Sequence, residues 1–406
     1  MRKHAWLALL LSLPFAIACG DDDGTTTGTD PDMDIPVDGT DTDMVVDDDM
    51  GDDMGDGVAC GGGLTEPPCF LEQIKAEPET GTLGAVIDAI LACVDGAATN
   101  LAGLDLLAPT RTIFAPTDDA VGAAATALGV DFAAISTALE ADPACGEGTL
   151  TAEQIGGLNT LFGIIAYHII DGQFAAADLA SNTDGFVRTV IGQLEGGQGV
   201  KAYLNEAGDG IRYVGLDGAP TEAGVDRADI AVTIGRGDAN TTIHVIDAVL
   251  VPPTITGVAI LEGLTGLVGA LGAADPLPGD PPTPLTLALS DPSASYTVFA
   301  PDNAAFDMLA EVPPSDVLQG ILLFHVNNNT DSAVNGGNAF LSTQLPDSVM
   351  TLSGGTLTID DSGDPVTING GSATDGGADV IAVDIQASNG VVHLINRVLL
   401  PPVPAG

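Results

Sequence analysis

The sequence predicts a globular domain that mixes strands with helices and is present twice, and three ordered matches between its halves carry that expectation. Thr112-Ile113-Phe114-Ala115-Pro116-Thr117-Asp118-Asp119-Ala120 returns as Thr297-Val298-Phe299-Ala300-Pro301-Asp302-Asn303-Ala304-Ala305-Phe306. An aromatic-His couple follows in each half, Tyr167-His168 and Phe324-His325. Each half then closes on one pattern, Ile243-His244-Val245-Ile246-Asp247-Ala248-Val249-Leu250-Val251-Pro252-Pro253 and Val392-His393-Leu394-Ile395-Asn396-Arg397-Val398-Leu399-Leu400-Pro401-Pro402. Matches in the same order in both halves indicate duplication. Each copy is longer than a hundred residues, so the copies are tandem domains and not solenoid repeats.

Taken from the start, Arg2 and Lys3 precede the apolar stretch Ala5 to Ile17, which is too short to span a bilayer and suits an export signal. It ends at Ala16-Ile17-Ala18-Cys19, which resembles a bacterial lipobox. That resemblance implies cleavage after residue 18 and a lipid on Cys19; the alternative is an ordinary signal peptide without lipid. Gly20 to Gly57 holds fifteen Asp and no Lys or Arg. Such a segment cannot bury a core and is expected to be a solvated, self-repelling tether. Asp30-Pro31-Asp32-Met33-Asp34 has the look of a calcium loop. Ile35 stands where an EF-hand needs Gly, and flanking helices are missing.

The first copy opens with Leu83, Val86, Ile87, Ile90, Leu91 and Val94, an apolar spacing that predicts a helix. Thr112 to Ala115 is a short apolar run cut by Pro116, as expected of a buried strand. Thr117 or Asp118 then suits a helix N-cap, and Asp302 or Asn303 does so in the second copy. Phe114 and His168 are 54 residues apart, whereas Phe299 and His325 are 26 apart, so an insertion is expected within 121–160. Leu161 to Ile170, around the Tyr-His couple, reads as a helix or a strand. Ile230 to Ile234 alternates like a strand, which puts Gly235 to Asn240 in a hairpin turn, the right place to be exposed, and Asn389-Gly390 after the strand Asp379 to Ile385 is the matching turn that supports this. Ile243 to Val251 reads as a strand buried on both faces and ended by the double Pro.

Four cysteines remain after the leader, Cys60, Cys69, Cys93 and Cys145. An even count beyond an export signal predicts two disulfides with three connectivities to choose from. The favoured pairing is Cys60–Cys69 with Cys93–Cys145. The second bridge would tie the insertion to the first helix, and closing a loop of about 50 residues contributes about 4 kcal/mol in the loop-entropy description.

These motifs resemble those of the fasciclin (FAS1) domain family, which opens on T-[VI]-F-A-P-x-[DN]-x-A-F, carries a Tyr-His couple and closes on V-H-x-I-[DN]-x-V-L-x-P. The matching residues are Phe114, Pro116, Tyr167, His168, His244 and Asp247, then Phe299, Pro301, Phe324, His325, His393 and Asn396. Two positions depart from the pattern: Val121 replaces the first Phe after Ala-Pro, and Phe324 replaces Tyr. The resemblance implies an α+β fold of two tandem FAS1-like domains, each a β-sandwich wedge with packed helices. It implies adhesion or extracellular binding and no enzyme. The expected layout is a signal peptide over 1–18, lipidated Cys19 and tether over 19–57, one domain over 58–254 and the other over 255–406.

Composition narrows the function. Without Arg2 and Lys3 the chain holds 8 basic and 57 acidic residues, a net charge of −49. That excludes nucleic acid and electrostatic docking on anionic lipid. Setting the tether's acids aside still leaves 42 acidic residues against 8 basic ones, or −34. Aromatics are scarce, and the single Trp, Trp6, lies in the leader, which weakens a lectin reading.

No His pair has local metal-ligand spacing, and no nucleophile elbow or phosphate loop is present. No catalytic, metal or cofactor residue is therefore expected. Arg236-Gly237-Asp238 spells an integrin tripeptide, but hairpin turns select Gly, Asp and Asn for backbone reasons, and coincidence is the better reading. Tyr167-His168 is linked with receptor contact in some animal family members; its apolar surroundings favour packing instead. The expected protein is a lipid-anchored surface or envelope protein of a bacterium that binds an extracellular protein or matrix component. The rival is a carrier of a small apolar ligand, carotenoid-like or lipid-like, and a structural spacer is a third reading.

Overall fold

A computed structural model describes residues 77–85, 111–128, 163–191, 199–215, 219–233, 240–274, 285–291, 294–309, 313–328, 338–370 and 377–402, with Ile74 and Glu311. Cys19, the acidic tether, Cys60, Cys69, Cys93, Cys145, the insertion beyond Leu128 and Arg236 to Asp238 lie outside the described residues.

The first copy is built around β1 (Arg111–Pro116), α1 (Asp118–Leu128), β2 (Ile169–Asp171), α2 (Ala176–Ala180), β3 (Phe186–Arg188), β4 (Lys201–Leu204), β5 (Gly210–Val214), β6 (Pro220–Thr233) and β7 (Asn240–Ile246). Its seven strands form one sheet in the order β2-β1-β7-β6-β5-β4-β3. The long β6 carries register shifts between Val225, Arg227 and Ile230, so one strand serves both ends of the sheet. Phe114 and Ile246 from one end share a core with Val187, Ala202 and Ile211 from the other. A bridge from Ile170 to Thr189 joins the two edges. The sheet thus closes on itself as a sandwich filled by alternate side chains.

The second copy repeats the plan. It comprises α3 (Ile255–Leu261), α4 (Thr265–Ala274), α5 (Leu285–Ala288), β8 (Tyr296–Pro301), α6 (Asn303–Asp307), α7 (Ser315–Phe324), β9 (Val326–Asn328), β10 (Ser348–Met350), β11 (Thr356–Asp360), β12 (Thr367–Asn369), β13 (Ala378–Ala387) and β14 (Gly390–Ile395). The strand order is β10-β11-β12-β13-β14-β8-β9, and β13 is shifted in register at the positions that match those of β6. One core lies inside the sandwich, around Phe299, Phe324 and Ile395. Another lies between the sheet and α3, α4, α5 and α7. The fold is α+β, as expected from the sequence.

The N-caps are settled by hydrogen bonds. Thr117 Oγ1 accepts from Ala120 N–H at 3.2 Å, and Asp302 Oδ1 accepts from Ala305 N–H at 2.7 Å. The next residue of each motif caps a different helix. Asp118 Oδ1 accepts from Thr82 N–H at 2.7 Å, at the start of the helix entered at residue 81, and Asn303 Oδ1 accepts from Gly266 N–H at 2.9 Å, at the start of α4. Consecutive motif residues therefore hold two helix N-termini together in both copies.

Two expectations need correction. The closing strand does not run on to Val251 and the double Pro; β7 ends at Ile246 and β14 at Ile395. There Asp247 Oδ1 accepts from Gly224 N–H at 2.7 Å and Asn396 Oδ1 from Asp379 N–H at 2.8 Å. These side chains take the place of ladder bonds and turn the chain out of the sheet. The turn at Asn389 is not exposed either. Asn389 is 2% exposed because it binds the segment joining the copies, so it lends no support to an exposed turn at Arg236-Gly237-Asp238.

Candidate functional site

The opening and closing motifs meet on neighbouring inner strands of each sheet. In the parallel pair β1–β7, Phe114 lies opposite His244, and in β8–β14, Phe299 lies opposite His393. Their rings are 5.8 Å and 5.7 Å apart between centroids. All four residues are fully buried, and burial of each Phe alone is worth about 1.5–3 kcal/mol. His244 Nε2–H donates to Phe174 O at 2.8 Å, and His393 Nε2–H donates to Phe340 O at 3.0 Å. The backbone N–H of the same two Phe residues donates to Thr112 Oγ1 and Thr297 Oγ1, each at 2.8 Å. The first Thr and the second His of the motifs therefore hold the N–H and the C=O of one residue, Phe174 or Phe340.

The aromatic-His couple forms a second clip. A helical segment, 163–167, runs straight into β2, so the stretch read as helix or strand is both. His168 Nδ1–H donates to Ile164 O at 2.7 Å, and its Nε2 accepts from Leu250 N–H at 3.0 Å. His325 does the same with Ile321 O at 2.8 Å and Leu399 N–H at 2.9 Å. Burial pushes both imidazoles down to about 4, against a smaller upward pull from the helix carbonyl. Both rings are therefore neutral at pH 7, with the proton on Nδ1. His393 is also lowered by burial and carries its proton on Nε2, since Nδ1 faces the Asp384 N–H.

Tyr167 is fully buried, and its hydroxyl donates to Lys201 O at 2.9 Å; burial raises its ionisation well above the ordinary range. Phe324 has no hydroxyl to place. Its ring packs over the backbones of Gly355 and Gly370, where an added Cβ would strike Phe324 or its neighbour Leu357. Pro116 and Pro301 end β1 and β8 in buried positions. The Phe and His residues of the motifs are therefore brought into two interior clips, Asp247 and Asn396 cap the ends of the closing strands, and the Tyr-His couple presents no contact surface.

A polar cluster that the sequence did not announce joins the copies. On the face of β3, β4 and β5 opposite the core, Phe186 pairs with Tyr203 and Arg188 with Lys201, while Tyr203 pairs with Arg212. Glu262, at the C-terminal end of α3, accepts from Lys201 Nζ at 2.7 Å and from the Tyr203 hydroxyl at 2.9 Å. Arg212 Nη2–H donates to Leu261 O at 3.3 Å, and Lys201 Nζ sits 4.3 Å from the Phe186 ring centroid. Two cations thus face the negative end of a helix dipole. Burial, then the Glu262 charge, raises the Tyr203 ionisation above its ordinary range.

Asn389 fastens the start of α3 and the segment after α5 to the turn between β13 and β14. Its Oδ1 accepts from Ile255 N–H at 2.9 Å, and its Nδ2 donates to Leu289 O at 2.8 Å and Asp291 O at 2.9 Å. The Gly199 N–H donates to Gln386 Oε1 at 2.7 Å. The one signal for this cluster in the sequence was the concentration of Arg188, Lys201 and Arg212, three of the eight basic residues beyond Lys3, within a short stretch of an acidic chain.

Among the described residues no group of three or more His, Cys, Asp or Glu is placed to hold a metal ion, and no helix is long and apolar enough to cross a membrane. Between the helices and sheet of the second copy, an apolar cavity of about 20 Å³ is bounded by residues that include Ile255, Leu271, Leu289, Phe299 and Leu322. That is room for about one water molecule.

Residues 96–252 and 283–401 match the fasciclin domain. The porcine transforming growth factor-beta-induced protein ig-h3 is 32% identical over 170 residues, which is 40% of this chain and 21% of that protein. The Mycobacterium bovis immunogenic protein MPB70 is 34% identical over 116 residues, 27% of this chain and 52% of the relative. Protein sll1483 of Synechocystis is 34% identical over 152 residues, 35% of this chain and 69% of the relative. The match therefore spans about a fifth of ig-h3 and about half of MPB70. Among solved structures, the FAS1 domain pair of the insect cell adhesion molecule Fasciclin I aligns with a TM-score of 0.39 at 17% identity, covering 78% of this chain and 97% of that one.

Proposed function

This chain belongs to the fasciclin family, and from that premise we propose that it is a non-enzymatic binding protein of a cell surface, engaging an extracellular protein or matrix component. The observation that carries this reading is the fate of the histidines. In His168 and His325 both ring nitrogens are held by backbone groups in the interior, so neither can serve as general base or metal ligand. What the domains offer to a partner is their acidic outer surface. Cys19, lipidated after cleavage of the leader, would anchor the chain in a bacterial envelope, and the Asp-rich tether would hold both domains away from the membrane.

The rival, carriage of a carotenoid-like or lipid-like molecule, needs an apolar volume far larger than the cavity in the second copy. Capture of partners from an extract of surface and matrix material, with residues 58–406 as bait, tests the proposal. Recovery of a polypeptide that an unrelated acidic protein does not retain supports binding. Recovery of an apolar pigment or lipid alone contradicts it and favours carriage.

A further inference from the structure

The duplication supplies an internal control for one strand. In the first copy Val225 pairs with Ile246, Arg227 with Val245 and Ile230 with Ile243; in the second, Val380 pairs with Ile395, Ala382 with Leu394 and Ile385 with Val392. Both strands shift register at the same two places, so Asp226 matches Ile381 and Ala228 matches Val383. All four residues are exposed. The first copy meets water there with a carboxylate and a methyl group. At the same positions the second copy presents Ile381, 51% exposed, and Val383, 43% exposed.

Asp384, next to Val383, is buried, with φ of 58°. Its carboxylate accepts from Ser342 N–H at 2.7 Å and from the Ser342 hydroxyl at 2.6 Å. This left-handed residue lies within the register shift between Ala382 and Ile385, directly after the outward-facing Val383. Single exposed apolar residues are ordinary, but a β-branched pair aimed outward where the first copy has only Asp226 and Ala228 marks a contact surface.

Charge decides the occupant. Residues 338–402 carry seven Asp and one Arg, and Asp347, Asp360, Asp361 and Asp364 are exposed. A second copy of so acidic a chain would be repelled, whereas a cationic partner would be drawn in. We propose that Ile381 and Val383 form the apolar centre of a docking surface for a basic polypeptide segment with interspersed aliphatic side chains. This rests on the reading of the chain as a binding protein and names the class of partner and the copy that takes it.

The test uses the full chain and a labelled synthetic peptide of alternating lysine and valine, followed by fluorescence anisotropy, with a lysine-serine peptide for comparison. Ile381→Asp/Val383→Ala installs the residues of the first copy on the matching bulge, so folding is preserved. It also adds a negative charge, so attraction by charge alone would hold or strengthen binding. The proposal requires the opposite, a loss of about tenfold in affinity for the lysine-valine peptide, with weak binding of lysine-serine throughout. Asp226→Ile/Ala228→Val should create a second binding site. Unchanged or tighter binding by the first double variant overturns the proposal. So does self-association of the parent that the variant abolishes, which would assign the patch to a second copy. If that variant still captures the surface polypeptide while its peptide affinity is unchanged, the docking surface falls and the binding function stands.

Discussion

His325 Nε2 accepts a hydrogen bond from the backbone N–H of Leu399 at 2.9 Å, and the same bond joins His168 to Leu250 at 3.0 Å in the first copy. The aromatic-His couple and the closing motif, far apart in sequence, are thus two halves of one clip. Its acceptor exists only while the imidazole is neutral, which ties the fold to pH.

Both histidines sit at about 4 in the folded chain against an ordinary value near 6.5. A lowered imidazole makes its stability contribution in full above about pH 6.5. That contribution is lost progressively as pH falls toward about 4, because the unfolded chain binds the proton first. Over that window each histidine should cost on the order of 3 kcal/mol. Thermal melts across the window should show a steep fall, and His325→Gln should flatten the part that belongs to the second copy. An equally steep fall in that variant would place the acid sensitivity in the carboxylates.

Ile246 and Ile395 are fully buried in separate cores. Ile395→Ala should destabilise the second copy by about 2–5 kcal/mol. Differential scanning calorimetry should show that copy's transition lowered and the first copy's largely spared. A uniform drop in both would mean that the junction makes them one cooperative unit.

Asn389→Ala would orphan the buried Ile255 N–H and the Leu289 carbonyl and remove one of the two hydrogen bonds to the Asp291 carbonyl, which keeps that from Ala294 N–H. A loss of about 3 kcal/mol is expected from three unmade bonds, read by urea unfolding. Ser388→Ala, at the half-buried neighbour, should change stability by less than about 0.5 kcal/mol.

Glu262→Gln keeps the size of the side chain and removes the charge that faces Lys201 and Tyr203. The pair is only partly buried, so solvent screens it, and a cost of about 1–2 kcal/mol is expected. The Tyr203 hydroxyl should then ionise at a lower pH, seen as an earlier rise in absorbance at alkaline pH. No change in that titration would show that Glu262 does not govern Tyr203.

The duplicated fold was legible because identical residues do identical work twice. Phe114 and Phe299, His244 and His393, and Thr112 and Thr297 recur since each clip needs that ring, that nitrogen or that hydroxyl. The end of the closing strand is not legible in the sequence because apolar continuity through Val251 hides what Asp247 does with one carboxylate oxygen. The buried state of Asn389 was not legible either, since turn chemistry looks the same whether a turn faces water or a neighbouring segment. The junction around Glu262 depends on which strand faces α3, a tertiary fact that local spacing does not encode. Arg236-Gly237-Asp238, Cys19 and the favoured bridges Cys60–Cys69 and Cys93–Cys145 stay as sequence-based proposals, and peptide mapping without reduction addresses the bridges.

The account turns on the motif histidines being interior clips and not a reactive or receptor-facing surface. Nuclear magnetic resonance titration of the imidazole carbon-bound protons from pH 8 to about pH 5.5 measures this directly. The account predicts that the His168 and His325 signals stay nearly fixed across that range, with the proton on Nδ1. Midpoints near 6.5 for either residue, the value of a solvated histidine, would contradict it.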